Sequence, residues 1–293
     1  MISIRKIILI TRPWAFILSI IRVSFSFSLA YYIYGTFNVQ FFLLTLLGVI
    51  LLHASMNVLN DYFDYKKGLD TESSGTVKYR LHPIVHGVLT PRGTMLYGLV
   101  LGVLGLLIAV YLTLFRLLAI IFGLIGFFIV YAYHGPPFSL KYKGLGEILD
   151  FIANSLNIVA SFYIASDKIS IISLFDSLPI ASIATAVLVA DNMRDADTDK
   201  LNGIKTLATL FPRRINEIYL FLSVVFPYSL IPILILLGYL PTLDILTLLT
   251  LPLSVRIARY VTANLLPDSG RQTSRVITLF GTAYVLLTLL DSF

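Results

Sequence analysis

The sequence predicts an all-α, polytopic membrane helix bundle, and three observations lead there. Of 293 residues, 57% are hydrophobic and only 13% charged, about half the charged fraction of an ordinary soluble domain. A soluble chain of this length would need a charged surface around its core, and that surface is missing. The apolar residues gather into nine stretches, each near the roughly 20 residues that a helix needs to cross bilayer hydrocarbon. Lysine and arginine fall almost entirely into alternate connections between those stretches. There is no cysteine, which excludes a disulfide framework, thiolate catalysis and zinc–cysteine sites.

The nine stretches are 14–34, 41–59, 94–114, 117–134, 147–166, 169–190, 215–237, 243–261 and 275–291. The first is too long for a cleaved signal peptide, and no small-residue cleavage site follows it. Trp14, after Arg12-Pro13, reads as an interface anchor. Arg22 lies about eight residues into this helix, so it is expected to face the interior and meet the aspartates or a diphosphate. The connections Gly35–Gln40 and Gly238–Thr242 are short enough to make their helices antiparallel. With a cytoplasmic N-terminus, 19 of the 22 lysines and arginines lie on the inner side. Only Arg116 and Lys168 fall outside, as the positive-inside rule requires. The expected topology is therefore nine transmembrane helices in a cell membrane, N-terminus cytoplasmic and C-terminus outside. Cytoplasmic loops account for the net charge of +6. No basic run is long enough to track a phosphate backbone, so no nucleic-acid partner is expected.

Two inner connections are long, Asn60–Gly93 and Asp191–Arg214. Each opens with carboxylates at the end of an apolar helix. That echo predicts a single membrane-embedded unit, 1–293, made of two pseudo-equivalent halves, roughly 1–135 and 136–293, facing one site. Eight of the 16 acidic residues fall within 61–72 and 191–199. Asn57, Asn60, Asp61 and Asp64 are spaced i, i+3, i+4, i+7, a single polar stripe on a continuing helix, and Asp70 follows. Asp191, Asp195 and Asp199 repeat at i, i+4, i+8. Stacked like charges destabilise a helix and cost more at a membrane, so cations should neutralise them. Oxygen donors without cysteine or paired histidine suit Mg²⁺ or Ca²⁺ rather than zinc. Mg²⁺ commonly shares its shell with substrate phosphates. The surrounding Arg22, Lys66, Lys67, Lys78, Arg80, Lys141, Lys143, Arg194 and Lys205 would fit a diphosphate. Between the two windows, Gly135-Pro136-Pro137 ends a helix, and Tyr133, Lys141, Tyr142 and Lys143 lie close by. The lysines suit phosphate oxygens and the tyrosines a reactive cation. His53, His82, His86 and His134 read as ordinary.

At its two acidic windows the sequence resembles the UbiA-type intramembrane prenyltransferases, a family of nine transmembrane helices with two Asp-rich motifs. The segment Asn60-Asp61-Tyr62-Phe63-Asp64-Tyr65-Lys66-Lys67-Gly68-Leu69-Asp70 is similar to the menaquinone branch, which prenylates 1,4-dihydroxy-2-naphthoate. So are Asp191 through Leu207 and the Lys143-Gly144-Leu145-Gly146-Glu147 stretch. Asp191 and Lys141 depart from the branch pattern. The resemblance implies that Asn60, Asp64, Asp195 and Asp199 are catalytic and hold Mg²⁺ on a prenyl diphosphate, with Asp61, Asp70 and Asp191 completing the shell. It further implies that Lys205 and Arg194 bind the diphosphate, joined by Arg22, Arg80, Lys143 and Tyr133. The implied partners are the bilayer, a prenyl diphosphate and an aromatic or lipid acceptor, with the site on the cytoplasmic side. Geranylgeranylglyceryl phosphate, a benzoate or haem are the alternative acceptors. A cation transporter is the rival class. Transporters, however, hold ionisable groups near the midplane on broken helices, whereas these clusters lie at one face.

Overall fold

A computed structural model describes residues 3–291. The expected sides of the chain ends themselves, Met1 and Phe293, lie outside the described residues. A short exposed helix, α1 (Ile4–Leu9), leads to Arg12 in a left-handed conformation (φ 61°) and a 3₁₀ turn at Pro13–Ala15. Then come α2 (Phe16–Tyr34), α3 (Val39–Lys66), the short α4 (Gly75–Tyr79), α5 (Pro91–Thr113) and α6 (Ala119–His134). The second half holds α7 (Gly146–Ser166), α8 (Ile171–Leu201), the single turn α9 (Leu207–Leu210), α10 (Arg213–Leu236), α11 (Leu251–Asn264) and α12 (Ser269–Leu290). Among the described residues the only sheet-like contact is an isolated bridge between Lys143 and Lys205.

Each predicted apolar stretch falls on helix. Among the described residues eight helical segments are long and apolar enough to cross a membrane, while α6 is apolar but has only 16 residues. Polar caps set several starts: Asn38 Oδ1 accepts from the Phe41 amide at 3.0 Å, and Thr90 Oγ1 from Gly93 at 3.1 Å. The 243–261 stretch differs from a simple helix. It begins as a 3₁₀ segment, Thr242–Thr250, and becomes α-helical only at Leu251. Pro252 has no N–H to donate, which suits it to the first turn of a new helix and not to the interior of one.

Packing follows membrane rules, in which small residues bring helices together. On α5, a Cβ at Gly98 would lie 2.8 Å from Leu59, and one at Gly105 only 3.1 Å from the Gly48 carbonyl oxygen. Glycine therefore permits the close α3–α5 approach. Ser55 Oγ donates to the Gly98 carbonyl there at 2.7 Å. The core of α2, α7, α8, α10 and α12 is built from fully buried Phe25, Phe27, Ile158, Phe162, Ile180, Leu220 and Phe280. Leu104, Leu107, Leu117, Ile121 and Leu124 on and beside α5 and α6 point outward, as lipid-facing residues do. The starts of α2, α7 and α12 share one end of the bundle with the ends of α3 and α8, and the two long connections fold over that end.

Candidate active site

At this end α3 and α8 continue well past their apolar stretches, to Lys66 and Leu201, and carry both acidic windows as helix. The expected single stripe on α3 divides into two faces. Asn57 and Asp61, one turn apart, turn toward the N-terminal segment: Asn57 Nδ2 donates to the Thr11 carbonyl at 2.9 Å, and Arg12 donates to Asp61. Asp61 is fully buried, and Arg80 binds it with two hydrogen bonds of 2.8 and 2.7 Å. Burial alone would lower the Arg80 pKa, but the Asp61 charge and hydrogen bonds raise it above its ordinary value. Asn60 and Asp64 turn the other way. Lys141 Nζ donates to Asn60 Oδ1 at 2.7 Å and Asp64 Oδ2 at 2.6 Å, and the Tyr142 hydroxyl donates to Asp64 Oδ1 at 2.7 Å. Burial, followed by the Asp64 charge, pushes the Tyr142 phenol well above its usual range.

The turn after α6 delivers this lysine and tyrosine. Gly135-Pro136-Pro137 stops the helix, Ser139 adopts φ 48°, and the 3₁₀ turn Leu140–Tyr142 aims both side chains back at α3. On α8, Arg194 gathers the second motif. It donates to Asp195 Oδ1 at 2.8 Å and to Asp191 Oδ1 at 2.5 Å, reaches Thr76 Oγ1 at 3.3 Å and lies over the Tyr79 ring. The backbone amide of Gly270 also donates to Asp191, at 3.2 Å. Asp199 lies within electrostatic reach of both Lys141 and Asp64. The two acidic motifs therefore meet at one mouth, with Lys141 between them.

Two histidines read as ordinary belong to this mouth. His82 Nδ1 accepts the Ile84 and Val85 amides at 3.2 and 3.1 Å, so its proton sits on Nε2, which donates to Asp70 Oδ2 at 3.1 Å. Burial raises the Asp70 pKa, a shift that the His82 hydrogen bond opposes. His134 Nε2 lies 3.0 Å from Asn60 Oδ1. Glu147 ties α7 to the second motif: its Oε1 accepts from Asn192 Nδ2 at 2.8 Å and from the Leu207 amide at 3.2 Å. Lys143 and Lys205 pair through backbone at the rim with exposed side chains. Two of the expected diphosphate ligands are engaged elsewhere: Arg80 is buried against Asp61, and Arg22 lies deeper. It binds Asn154 and Ser19 inside the bundle and does not reach the mouth.

The arrangement has the donor chemistry for a hard divalent cation. The Lys141 ammonium already occupies a cation position between Asn60 and Asp64 oxygens, and among the described residues Asp195 is bonded only by the neighbouring Arg194. Asp61, Asp70 and His82 also bring one ligand-type atom each within 4.8 Å of one another. That trio is less suited to a metal, because two guanidinium groups already hold Asp61 and His82 Nε2 carries a proton. A cavity of about 330 Å³ runs inward from the mouth, lined by Asn60, Tyr133 and Asp191 near the opening and by Leu52, Ile108 and Phe122 further in.

Residues 21–287 match the sequence profile of the UbiA prenyltransferase family. The chain is 30% identical over 285 residues, 95% of its own length and 82% of the relative's, to UbiA prenyltransferase domain-containing protein 1 of Danio rerio. It is 33% identical over 204 residues, 69% of its length and 64% of the relative's, to 1,4-dihydroxy-2-naphthoate octaprenyltransferase of Bacillus subtilis (strain 168). Its fold is similar to that of a UbiA homolog from Archaeoglobus fulgidus solved with GPP and Mg²⁺. That likeness has a TM-score of 0.65 at 19% identity and covers 97% of this chain and 99% of the other.

Proposed function

The chain belongs to the UbiA prenyltransferase family, and from that membership we propose that it transfers a polyprenyl group from a prenyl diphosphate to 1,4-dihydroxy-2-naphthoate at the cytoplasmic end of the bundle. The observation that carries this reading is that Asn60, Asp64 and Asp199 gather around Lys141, one turn of α8 from Asp195. The similarity to a naphthoate octaprenyltransferase supports the choice of acceptor. We also take α6 as a ninth span. Its His134 end meets Asn60 at the mouth, and the Leu118 amide just before its start donates to Tyr163 Oη, near the far end of α7.

Asn60, Asp64, Asp195 and Asp199 would hold Mg²⁺, with Asp191 in support, whereas Asp61 is taken up by Arg12 and Arg80 and Asp70 by His82. Bound there, the ion would neutralise the diphosphate and act as a Lewis acid toward it. Lys141, Arg194, Lys143 and Lys205 place further positive charge at the rim. Arg194 is held in place by Asp191 and Asp195, so it would meet the departing diphosphate with little reorganisation. The allylic C–O bond breaks and its electron pair leaves with the diphosphate. The naphthoate ring attacks through the carbon bearing its carboxylate. The C–carboxylate bond then breaks, its pair returns to the ring and CO₂ departs. Tyr133 would present its ring to the allylic cation, a role supported by its burial and its position on the cavity wall.

The test uses purified protein in detergent with labelled prenyl diphosphate and the naphthoate, with Mg²⁺ or with excess EDTA. Transfer that needs Mg²⁺ and is lost by at least 100-fold in Asp64→Ala and Asp195→Ala is expected. Full activity in either variant would remove those residues from the reaction. Metal-dependent transfer to another acceptor alone would keep the chemistry and overturn the naphthoate.

A further inference from the structure

Beneath the mouth lies a polar group that the diphosphate chemistry does not use. Arg22 on α2 donates to Asn154 on α7 and to Ser19, 3.1 Å away, and Ser19 in turn lies 2.9 Å from His53 Nδ1 on α3. Asp150 Oδ2 accepts from Asn154 Nδ2 and from Thr185 Oγ1 on α8, both at 3.0 Å, and lies within electrostatic reach of Arg22. These contacts fix its depth. His53 precedes Asn60 by seven residues on α3, and Thr185 precedes Asp191 by six on α8, so the group sits about 10 Å below Asn60 and Asp191 and deeper still below Asp64, Asp195 and Asp199.

A charge at that depth in a bilayer is costly and marks a functional site by default. Its bonding is also incomplete. Arg22 Nε and Asn157 Oδ1 are both buried without a hydrogen-bond partner among the described residues, and Arg22, Asn157 and Asp150 all line the cavity that opens at the mouth. The cavity therefore offers one unused donor and one unused acceptor beside a guanidinium and a carboxylate. A prenyl tail has nothing to give them. A diphosphate held by Asp64, Asp195 and Asp199 lies about three helical turns away, and Asp150 would repel it. An arene carrying a carboxylate next to a hydroxyl matches both signs: the carboxylate suits the guanidinium, and the hydroxyl can donate to Asp150 or Asn157.

Resting on the prenyl-transfer reading of this cavity, we propose that Arg22, Asp150 and Asn157 form the acceptor subsite, which selects a hydroxylated aromatic acid by its carboxylate. Arg22 is thus a specificity-determining residue for the acceptor and not a diphosphate ligand. The allylic carbon, one bond from the diphosphate, would lie between the mouth and this subsite. An acceptor anchored below presents its ring to that carbon.

The experiment compares 1,4-dihydroxy-2-naphthoate with carboxyl-free 1,4-dihydroxynaphthalene as acceptors at saturating prenyl diphosphate and Mg²⁺. Arg22→Gln is expected to lower the kcat/KM ratio of the first to the second by about 30- to 100-fold, the scale of losing a charge-assisted hydrogen-bond pair. The KM for prenyl diphosphate should move less than about threefold. Arg22→Lys, which keeps charge without the planar fork, should recover only part of the ratio. A rise in the prenyl diphosphate KM of tenfold or more, or a parallel loss with both acceptors, would overturn the assignment. Should Arg22→Gln fail to fold, the native protein still decides: 1-hydroxy-2-naphthoate should inhibit transfer at least tenfold more tightly than 1-naphthol, and equal inhibition refutes the subsite. Native protein that prenylates neither naphthalene acceptor defeats the naphthoate reading instead. Thermal stabilisation of native protein by 1-hydroxy-2-naphthoate, smaller in Arg22→Lys and absent in Arg22→Gln, then tests the subsite without turnover, and equal stabilisation of all three overturns it.

Discussion

Asp61 and Asp64 are three residues apart, yet the fold uses them differently. Asp61 is sealed between Arg12 and Arg80, with no exposed side-chain surface. Removing one member of such a buried group strands the opposite charges, typically at about 3–5 kcal/mol. Asp61→Asn should therefore show a clearly lowered unfolding temperature in detergent, whereas Glu217→Gln, which breaks the exposed Arg213–Glu217 pair, should cost under about 1 kcal/mol. Comparable Tm losses in the two variants would contradict the burial argument. Asp64 faces the mouth, where its partners are Asn60, Lys141 and Tyr142. Its loss should appear in turnover before it appears in stability. The spacing of the sequence marks both aspartates as one stripe, because residues 57 to 64 do repeat helically. What separates them is the position of Arg80, nineteen residues on from Asp61, and no local pattern encodes that. His82 was hidden for the same reason. A histidine followed by proline looks like a turn, and only the fold brings its Nε2 to Asp70.

Among the helices, apolar length was legible from the sequence and close approach was not. The nine stretches stand out because each must satisfy its backbone inside itself and bury or expose only carbon. Which glycines hold helices together depends on the neighbour. On α6, a Cβ at Gly123 would lie 2.5 Å from the Ala109 Cβ, while one at Gly126 would meet only the end of Leu52 at an ordinary 3.6 Å. Ala109 Cβ is fixed to its backbone, so Gly123→Ala can be accommodated only by parting α5 from α6. Overpacking of this kind typically costs about 1–3 kcal/mol. Gly123→Ala should lower the unfolding temperature in detergent, and Gly126→Ala, three residues along the same helix, should leave it nearly unchanged. Equal effects would mean that α6 does not pack on α5 as described.

For the molecule as a whole, the distribution of charge makes a directional claim that the helix packing then has to honour. Both acidic motifs, the Lys141 turn and the long connections lie at one end of the bundle, and most lysines and arginines of the sequence belong to that end. Positive residues are retained on the cytoplasmic side, so the mouth should open there, where a water-soluble diphosphate headgroup can enter while its tail stays in lipid. The absence of cysteine makes this testable without a background. Ser73→Cys and Lys200→Cys place a thiol on exposed positions at the mouth end, and Lys168→Cys and Leu237→Cys do so at the opposite end. In intact cells a membrane-impermeant maleimide should label the second pair only, and after permeabilisation all four. Labelling of Ser73→Cys or Lys200→Cys in intact cells would turn the bundle over. The diphosphate would then have to be supplied from outside, and the cytoplasmic placement of the reaction would be lost even if the chemistry at Asp64 and Asp195 survived.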